Sequence, residues 1–492
     1  MKKYILTAIA LILCHYRSAL PQDLSKQVIK LIATKQEYDH YSPWMKKGLQ
    51  KITMNGCVVG KNLIITSAYS LADVTMIEAV KLGESKKYNV DIIVKDYLCG
   101  LALLTVTDKN FFNGLEDSEI LPPQKLIGQT CSIYRWDSEG NFREYAAVAI
   151  NTSLRIYKPN CGVLTHTMAT EMEAGGYGEP VYKDDKLAGI STGFDGATKS
   201  IVAIGVDTIK RMLDDISDGS YEGMPFFWIQ ATPLEGDVNL RELLGLEERE
   251  TGVCIDKIHP LSSGKETLQN GDVILNINGV AIEDSGLYRS PSYGRLNYNG
   301  LIYLNHFIND DIHITVVRKS ERIPLQFKLK GANLDRMTLS LTPFDSQPEY
   351  MVVGGCVFQH LSLGYMKTWG DSWEKQCDRR LLYHYRTKVW DKSDDGRKVV
   401  ILNRVLPAAV NSGYQDLSSL VLERVNGAVV KNIMELKAAV SSSTGNWLKF
   451  DFTGKTSIVL EKKSVLESED DILRTYRIPS PWYLTPVPGS EQ

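Results

Sequence analysis

Long hydrophobic runs are what this chain lacks first. Beyond its N-terminus no stretch approaches the ~20 apolar residues that span a bilayer, so no membrane-crossing helix is expected there. An excess of one charge is missing too: 56 basic against 59 acidic side chains leave a formal net charge of −3. A nucleic-acid footprint needs a basic face, and that class of partner is set aside. Cysteine is scarce and scattered, eight residues in 492 with no C-x-x-C pair, which argues against a zinc site and a dense disulfide framework. Cys57, Cys99, Cys161, Cys254 and Cys356 adjoin apolar or glycine residues and read as small buried side chains. One disulfide stays open as an alternative in an oxidising compartment, with Cys356 and Cys377 in the same domain. The H-E-x-x-H pair, the phosphate-cradling glycine loop and the dinucleotide fingerprint are all absent, so neither a metal nor a cofactor is expected.

What is present points to several mostly β domains. A chain of 492 residues with 43% hydrophobic side chains suits about three globular domains. Lys2 and Lys3 precede an apolar run from Ile5 to Cys14, the charged and hydrophobic regions of a secretory signal. Residues 1–20 are read as that signal, with a lipidated Cys14 and an uncleaved anchor as alternatives. The expected location is exported, periplasmic or extracellular, with membrane association through this segment left open. From Gln27 to about Val206, short β-type runs such as Val28–Ile32, Leu63–Thr66 and Leu101–Val106 alternate with Gly, Asn and Asp, the pattern of a barrel or sandwich. Asp207 to Ile216 carries Ile209, Met212, Leu213 and Ile216 at helical spacing. A linker follows, and the first domain is placed at 22–218, the second at 225–331, a third at 332–480 and a tail at 481–492. The polar insert from Gly364 to Arg397 reads as a long surface loop or a helical elaboration.

The second and third domains share a device. Gly271-Asp272 makes a tight turn, Val273 to Ile277 a buried strand, and Asn278-Gly279 the positive φ of a hairpin. Asn426-Gly427 after Leu420–Val425 repeats it, with Asp416-Leu417 in place of the Gly-Asp turn. This resembles PDZ domains, which take an extended peptide as an added strand and hold its terminal carboxylate on a loop of backbone N–H groups. The resemblance implies peptides or protein C-termini as partners. Leu243, Leu244, Gly245 and Leu246, just before the strand at Gly252–Ile255, are the candidate carboxylate loop. The other reading of this segment is the end of a short amphipathic helix, Val238 to Leu246, packed on the core.

Taken together, Tyr41-Ser42-Pro43-Trp44 leading into Gly56–Val59, Ile258-His259-Pro260-Leu261-Ser262, and the closing Ile472-Leu473-Arg474 … Ile478-Pro479-Ser480 resemble the Deg/HtrA family, and within it the plant-type Deg proteins. That resemblance implies a mainly β fold: a chymotrypsin-like double β-barrel followed by two PDZ-like domains, assembled as a homo-oligomer, a trimer or a multiple of three. It also locates the catalytic positions. Tyr69, in Thr66-Ser67-Ala68-Tyr69, stands where the family has its histidine. Gly100, before Leu101-Ala102-Leu103-Leu104, stands where it has its aspartate. Tyr177, in Gly175-Gly176-Tyr177-Gly178-Glu179-Pro180, stands where it has its serine. Acyl transfer by this route needs an activated hydroxyl, a base and a group to orient the base, and a phenol with a pKa near ~10 cannot act as an imidazole does. The expectation is therefore a pseudoprotease, not an enzyme, that binds peptides or unfolded segments as an adaptor or chaperone in envelope protein quality control. A peptidase with rearranged residues and a purely structural oligomer subunit are the alternatives. A Cys99–His166 dyad and a carboxylate pair from Glu171, Glu173 and Glu179 are weighed against a core cysteine and a solvated acidic loop.

Overall fold

The computed structural model describes residues 23–157, 161–341 and 344–485; the expected signal at 1–20 and the tail beyond 485 lie outside them. Two closed barrels come first. β1 (Val28–Lys35), β2 (Gln50–Val59), β3 (Leu63–Ser67), β4 (Val74–Val80), β5 (Tyr88–Asp96) and β6 (Leu101–Val106) close in the order β1-β2-β3-β6-β5-β4. β7 (Thr130–Trp136), β8 (Phe142–Tyr157), β9 (Cys161–Thr170), β10 (Pro180–Lys183), β11 (Lys186–Asp195) and β12 (Ser200–Gly205) close as β10-β11-β12-β9-β8-β7. The apolar run of β6 has a use on both faces. Ala102 and Leu104 fill the first barrel, while Leu101 and Leu103 join a core shared with the second barrel. Fully burying one such leucine contributes about 1.5–3 kcal/mol. Helix α1 (Val206–Asp215) seals the second barrel with buried Ile209 and Met212, as its spacing predicts. The seven described cysteines are all free and buried.

The second unit carries β13 (Ile229–Pro233), α2 (Val238–Leu243), β14 (Val253–Ile258), β15 (Val273–Ile277), β16 (Val280–Ala281), the hairpin β17 (Leu287–Ser290) and β18 (Gly294–Asn297), α3 (Gly300–Tyr303), β19 (Asp311–Arg318) and β20 (Glu321–Lys328). Its sheet runs β13-β14-β15-β19-β20. The third unit carries β21 (Tyr350–Val353), β22 (Cys356–His360), α4 (Leu363–Met366), α5 (Trp373–Gln376), α6 (Arg379–Lys388), β23 (Val400–Val405), β24 (Ser418–Val425), β25 (Ala428–Val429), α7 (Ile433–Ser442), β26 (Trp447–Phe452), β27 (Thr456–Glu461), α8 (Lys462–Thr475) and β28 (Trp482–Tyr483). Its sheet runs β27-β26-β24-β23-β22-β21-β28. The two Asn-Gly hairpins adopt the expected backbone, with φ of 50° and 78° at Asn278 and Gly279 and 48° and 82° at Asn426 and Gly427. The insert from Gly364 to Arg397 is the helical elaboration: α5 and α6 bury Trp373, Leu381 and Tyr385 in a core shared with Phe226, Trp228 and Ile401.

The units are joined by apolar packing. Phe226, Phe227 and Trp228 alternate in extended backbone, so Phe227 enters the core shared with the barrels while Phe226 and Trp228 enter the core of the third unit. Trp228 stacks on His259 at 4.7 Å with 2° between planes, and lies 4.8 Å from Trp390. The third unit folds back onto the first barrel, where Asn403 Nδ2 donates to Tyr41 O at 2.8 Å and Arg404 donates to Ser42 Oγ at 2.8 Å.

Candidate functional site

The three catalytic positions named from sequence converge at the cleft between the barrels. Tyr69 follows β3 on a single turn of 3-10 helix. Ala68 N–H donates to Gly100 O at 2.9 Å, which draws the two first-barrel positions together. Ser70 Oγ donates to Gly176 O at 3.3 Å, and Asn55 N–H donates to Tyr177 O at 2.8 Å, so the second-barrel loop is tied to the same place. Gly100 has φ +77°, and a Cβ there would sit 3.0 Å from Tyr69 Cε2 and 3.0 Å from Ile204 Cδ1. The missing side chain at 100 is thus the space that the Tyr69 ring uses. The Tyr69 hydroxyl donates to Tyr97 O at 2.8 Å. Tyr177 is 38% exposed.

Glu179 is the residue that sequence reasoning misplaced. Instead of belonging to a solvated acidic loop with Glu171 and Glu173, it is completely buried. Its Oε2 accepts from Gly176 N–H at 3.0 Å and from Tyr177 N–H at 2.8 Å. A carboxylate of the chain itself therefore occupies the amide donors of the 175–180 turn. Burial pushes its carboxyl up, opposed by these donors and by Arg135, whose Nη1 lies 3.9 Å from Oε1.

Cys99 and His166 have separate partners. Cys99 is fully buried and its thiol pushed up by burial. His166 Nδ1 pairs with Thr152 Oγ1 at 2.9 Å, its ring lies 6.2 Å from that of Tyr293, and burial lowers its pKa to about 4. A second aromatic feature was not visible in the sequence. Phe344 packs on Tyr69 and Tyr97 with ring centroids at 6.4 and 4.8 Å, and Asp345 accepts from Tyr97 Oη at 2.5 Å and from Asp73 N–H at 2.9 Å. The segment leading into the third unit thereby caps the Tyr69 side of the cleft.

In the second unit, Leu243–Leu246 closes α2. Leu244 N–H donates to Leu240 O at 2.9 Å, Gly245 N–H to Glu242 O at 3.0 Å, and Leu246 N–H to Arg241 O at 3.1 Å. These donors are spent on ending the helix, so this segment does not offer the N–H cradle expected of a carboxylate loop. Leu243 is exposed, whereas Leu240, Leu244 and Leu246 pack on Leu234, Cys254, Val273 and Val317. The amides ahead of β13 are engaged as well: Phe226 N–H donates to Lys330 O, Phe227 N–H to Tyr303 Oη and Trp228 N–H to Ser262 Oγ. β13 itself is an edge, paired among the described residues only with β14.

A family profile described as "PDZ domain" matches residues 340–482. The chain is similar to "Protease Do-like 2, chloroplastic" of Arabidopsis thaliana, 26% identical over 474 residues that cover 92% of this chain and 74% of that protein. It is also similar to "Putative protease Do-like 3, mitochondrial" of the same organism, 24% identical, covering 92% of this chain and 78% of that one. Over most of its length the chain is similar to Deg/HtrA-type proteases. A "Serine protease DegP homolog" of Plasmodium falciparum (isolate 3D7) is 24% identical, covering 84% of this chain and 58% of that protein. Among solved structures, "HtrA-type protease AlgW with decapeptide" aligns with a TM-score of 0.47 at 15% identity, over 62% of this chain and 95% of that one. The expectation that this chain is not an enzyme is corrected by these relatives: they carry protease names, and nothing in the comparisons shows inactivity. The sequence argument rested on individual positions, whereas the relatives named as proteases match this chain over 84–92% of its length. No helix among the described residues is long and apolar enough to cross a membrane.

Proposed function

We propose that this Deg/HtrA-type chain engages extended polypeptide segments through its PDZ-type units, in protein quality control in an exported compartment, and that β13 is the accepting strand of the second unit. The observation that supports this is the edge itself: β13 has β14 on one side, no second strand among the described residues on the other, and exposed Gln230 and Thr232 along it. Strand addition supplies affinity through backbone pairing and needs no terminal carboxylate. Because the amides at 226–228 and at 244–246 are already engaged, the ligand is an internal stretch as readily as a C-terminus. The test is fluorescence polarisation of unfolded-protein peptides with free and amidated C-termini. Equal affinity for the two forms, lost in Ala231→Pro, is expected. A strong preference for the free carboxylate, or binding indifferent to Ala231→Pro, would sink the reading.

The relatives' names favour a coupled reading, hydrolysis of the bound segment. The family's three catalytic positions hold two phenols and a glycine here, so a cleavage reaction draws on other groups or on the Tyr177 phenol. Casein cleavage by chain purified to homogeneity decides between these: products lost in Tyr177→Ala place the chemistry at that position, and products that persist place it elsewhere. The trimer-based assembly implied by the resemblance is read from the same preparation by light scattering.

A further inference from the structure

The two PDZ-type repeats differ at one edge. β22 stands in the third unit where β13 stands in the second, since each pairs with the strand next to the one that ends in Asn-Gly. No described strand lies outside β13. Outside β22 lie two, first β21 and then β28, both antiparallel to their neighbours. All four residues of β21 are buried, so an uncovered β21 would present an apolar edge with unpaired amides, the liability that proteins cover.

What covers it is the chain's own closing segment. Met351 pairs with Trp482 and Tyr350 with Tyr483. Val352 N–H donates to Pro481 O at 2.7 Å, and Tyr350 Oη donates to Ser480 O at 3.0 Å. Thr485 N–H donates to Glu349 Oε1 at 2.8 Å. Lys437 Nζ, on α7, sits 3.2 Å from the centre of the Trp482 ring, a cation–π contact. Glu349 is itself held by His360 Nδ1 at 3.1 Å, and His360 Nε2 accepts from Ile433 N–H at 3.1 Å at the start of α7. Backbone pairing, one aromatic ring under a cation and a fixed acceptor at the far end are the features of a bound peptide. The hold is slight, because the strand has two residues and Trp482 remains 39% exposed. Buried Ile472 and Ile478, just upstream, keep the segment tethered at the edge.

The geometry points to residues 480–485 as an internal strand ligand that covers β21 and lifts to admit, in trans, an extended segment carrying an aromatic residue opposite Lys437. This edge belongs to the third unit and does not depend on the reading of β13. The probe is a fluorescein-labelled peptide with the sequence of residues 478–485, titrated into the full chain. Replacing the covering side chains (Trp482→Gly with Tyr483→Gly) is expected to tighten its binding at least tenfold. Lys437→Ala in that background is expected to weaken it at least threefold, and Ala231→Pro to leave it unchanged. Amide exchange at Tyr350 and Val352 should rise in the double variant and fall again with peptide. Equal affinity of unaltered and double-variant chains, or no response to Lys437→Ala, would overturn the proposal. If the double variant does not fold, Lys437→Ala alone serves: faster exchange at Trp482 and Thr485 with the rest of the unit unchanged supports it, and unchanged exchange refutes it.

Discussion

Tyr69 fits its site because position 100 has no side chain. With φ +77° and prospective contacts of 3.0 Å to Tyr69 and Ile204, Gly100 is held in a conformation that costs an L-residue of order 1–3 kcal/mol. Gly100→Ala should therefore lower the stability of the barrels by about that much in urea unfolding. Tyr69→Ala in the same chain should restore the steric part of the loss but not the backbone part. His259 makes a pH-dependent claim. Its Nδ1 accepts from Leu261 N–H at 3.1 Å, its Nε2–H faces Val389 O at 3.2 Å, and burial lowers its pKa to about 4. Below pH ~6.5 the unfolded chain takes up a proton that the folded chain refuses. Stability is thus full above ~6.5 and is lost as pH falls towards 4, by up to about 1.4 kcal/mol per pH unit for one histidine. His166 acts in the same direction. Thermal unfolding should show a lower midpoint at pH 5 than at pH 7, and His259→Phe, which keeps a ring against Trp228 but cannot protonate, should shrink the drop while lowering the pH 7 midpoint.

Helix α2 and its C-terminal turn show where legibility ends. A Leu-Leu-Gly-Leu run suits both a carboxylate loop and a helix that stops on a left-handed glycine, and Gly245 has φ +75° either way. What separates the two is whether the amides are spent, and that depends on Glu242, Leu240 and Arg241 one turn back. A Cβ on Gly245 would strike Ser320 Oγ and Cβ. Gly245→Ala should accordingly destabilise the second unit by about 1–3 kcal/mol, with part of the loss recovered by Ser320→Gly; a neutral result in denaturant titration would contradict the cap geometry. Local signals elsewhere were sufficient: the apolar run of β6, the spacing along α1 and both Asn-Gly hairpins each specify their element through near neighbours. Glu179 and Phe344 were not readable in the same way. A glutamate in a glycine-rich turn reads as solvated until the fold buries it. A phenylalanine in a linker gives no hint of a cleft nearly three hundred residues earlier in the chain.

The contacts between units decide how the molecule responds as one body. Tyr41-Ser42-Pro43-Trp44, useful in sequence only as a family marker, is the first barrel's grip on the third unit: the Arg404 guanidinium lies 4.3 Å from the Tyr41 ring centre and 5.7 Å from that of Trp44, and Trp44 meets Tyr350 edge-on at 5.7 Å. Asp345 supplies the second grip, taking Lys95 Nζ at 2.7 Å together with Tyr97 Oη and Asp73 N–H. A lone exposed ion pair contributes ~0–1 kcal/mol. Asp345 is exposed as well, but its carboxylate takes three donors at once, and a network of this kind holds more than an isolated pair. Removing both grips with Asp345→Ala and Arg404→Ala should uncouple the third unit from the first barrel without opening either core. Calorimetry should then resolve two transitions where the unaltered chain gives one, and amide exchange should rise at 38–45 and 344–350 while the β6 core stays protected. A single unshifted transition would mean that the apolar joint at Phe226, Trp228 and Trp390 carries the coupling alone, and that the cap on Tyr69 closes without holding the molecule together.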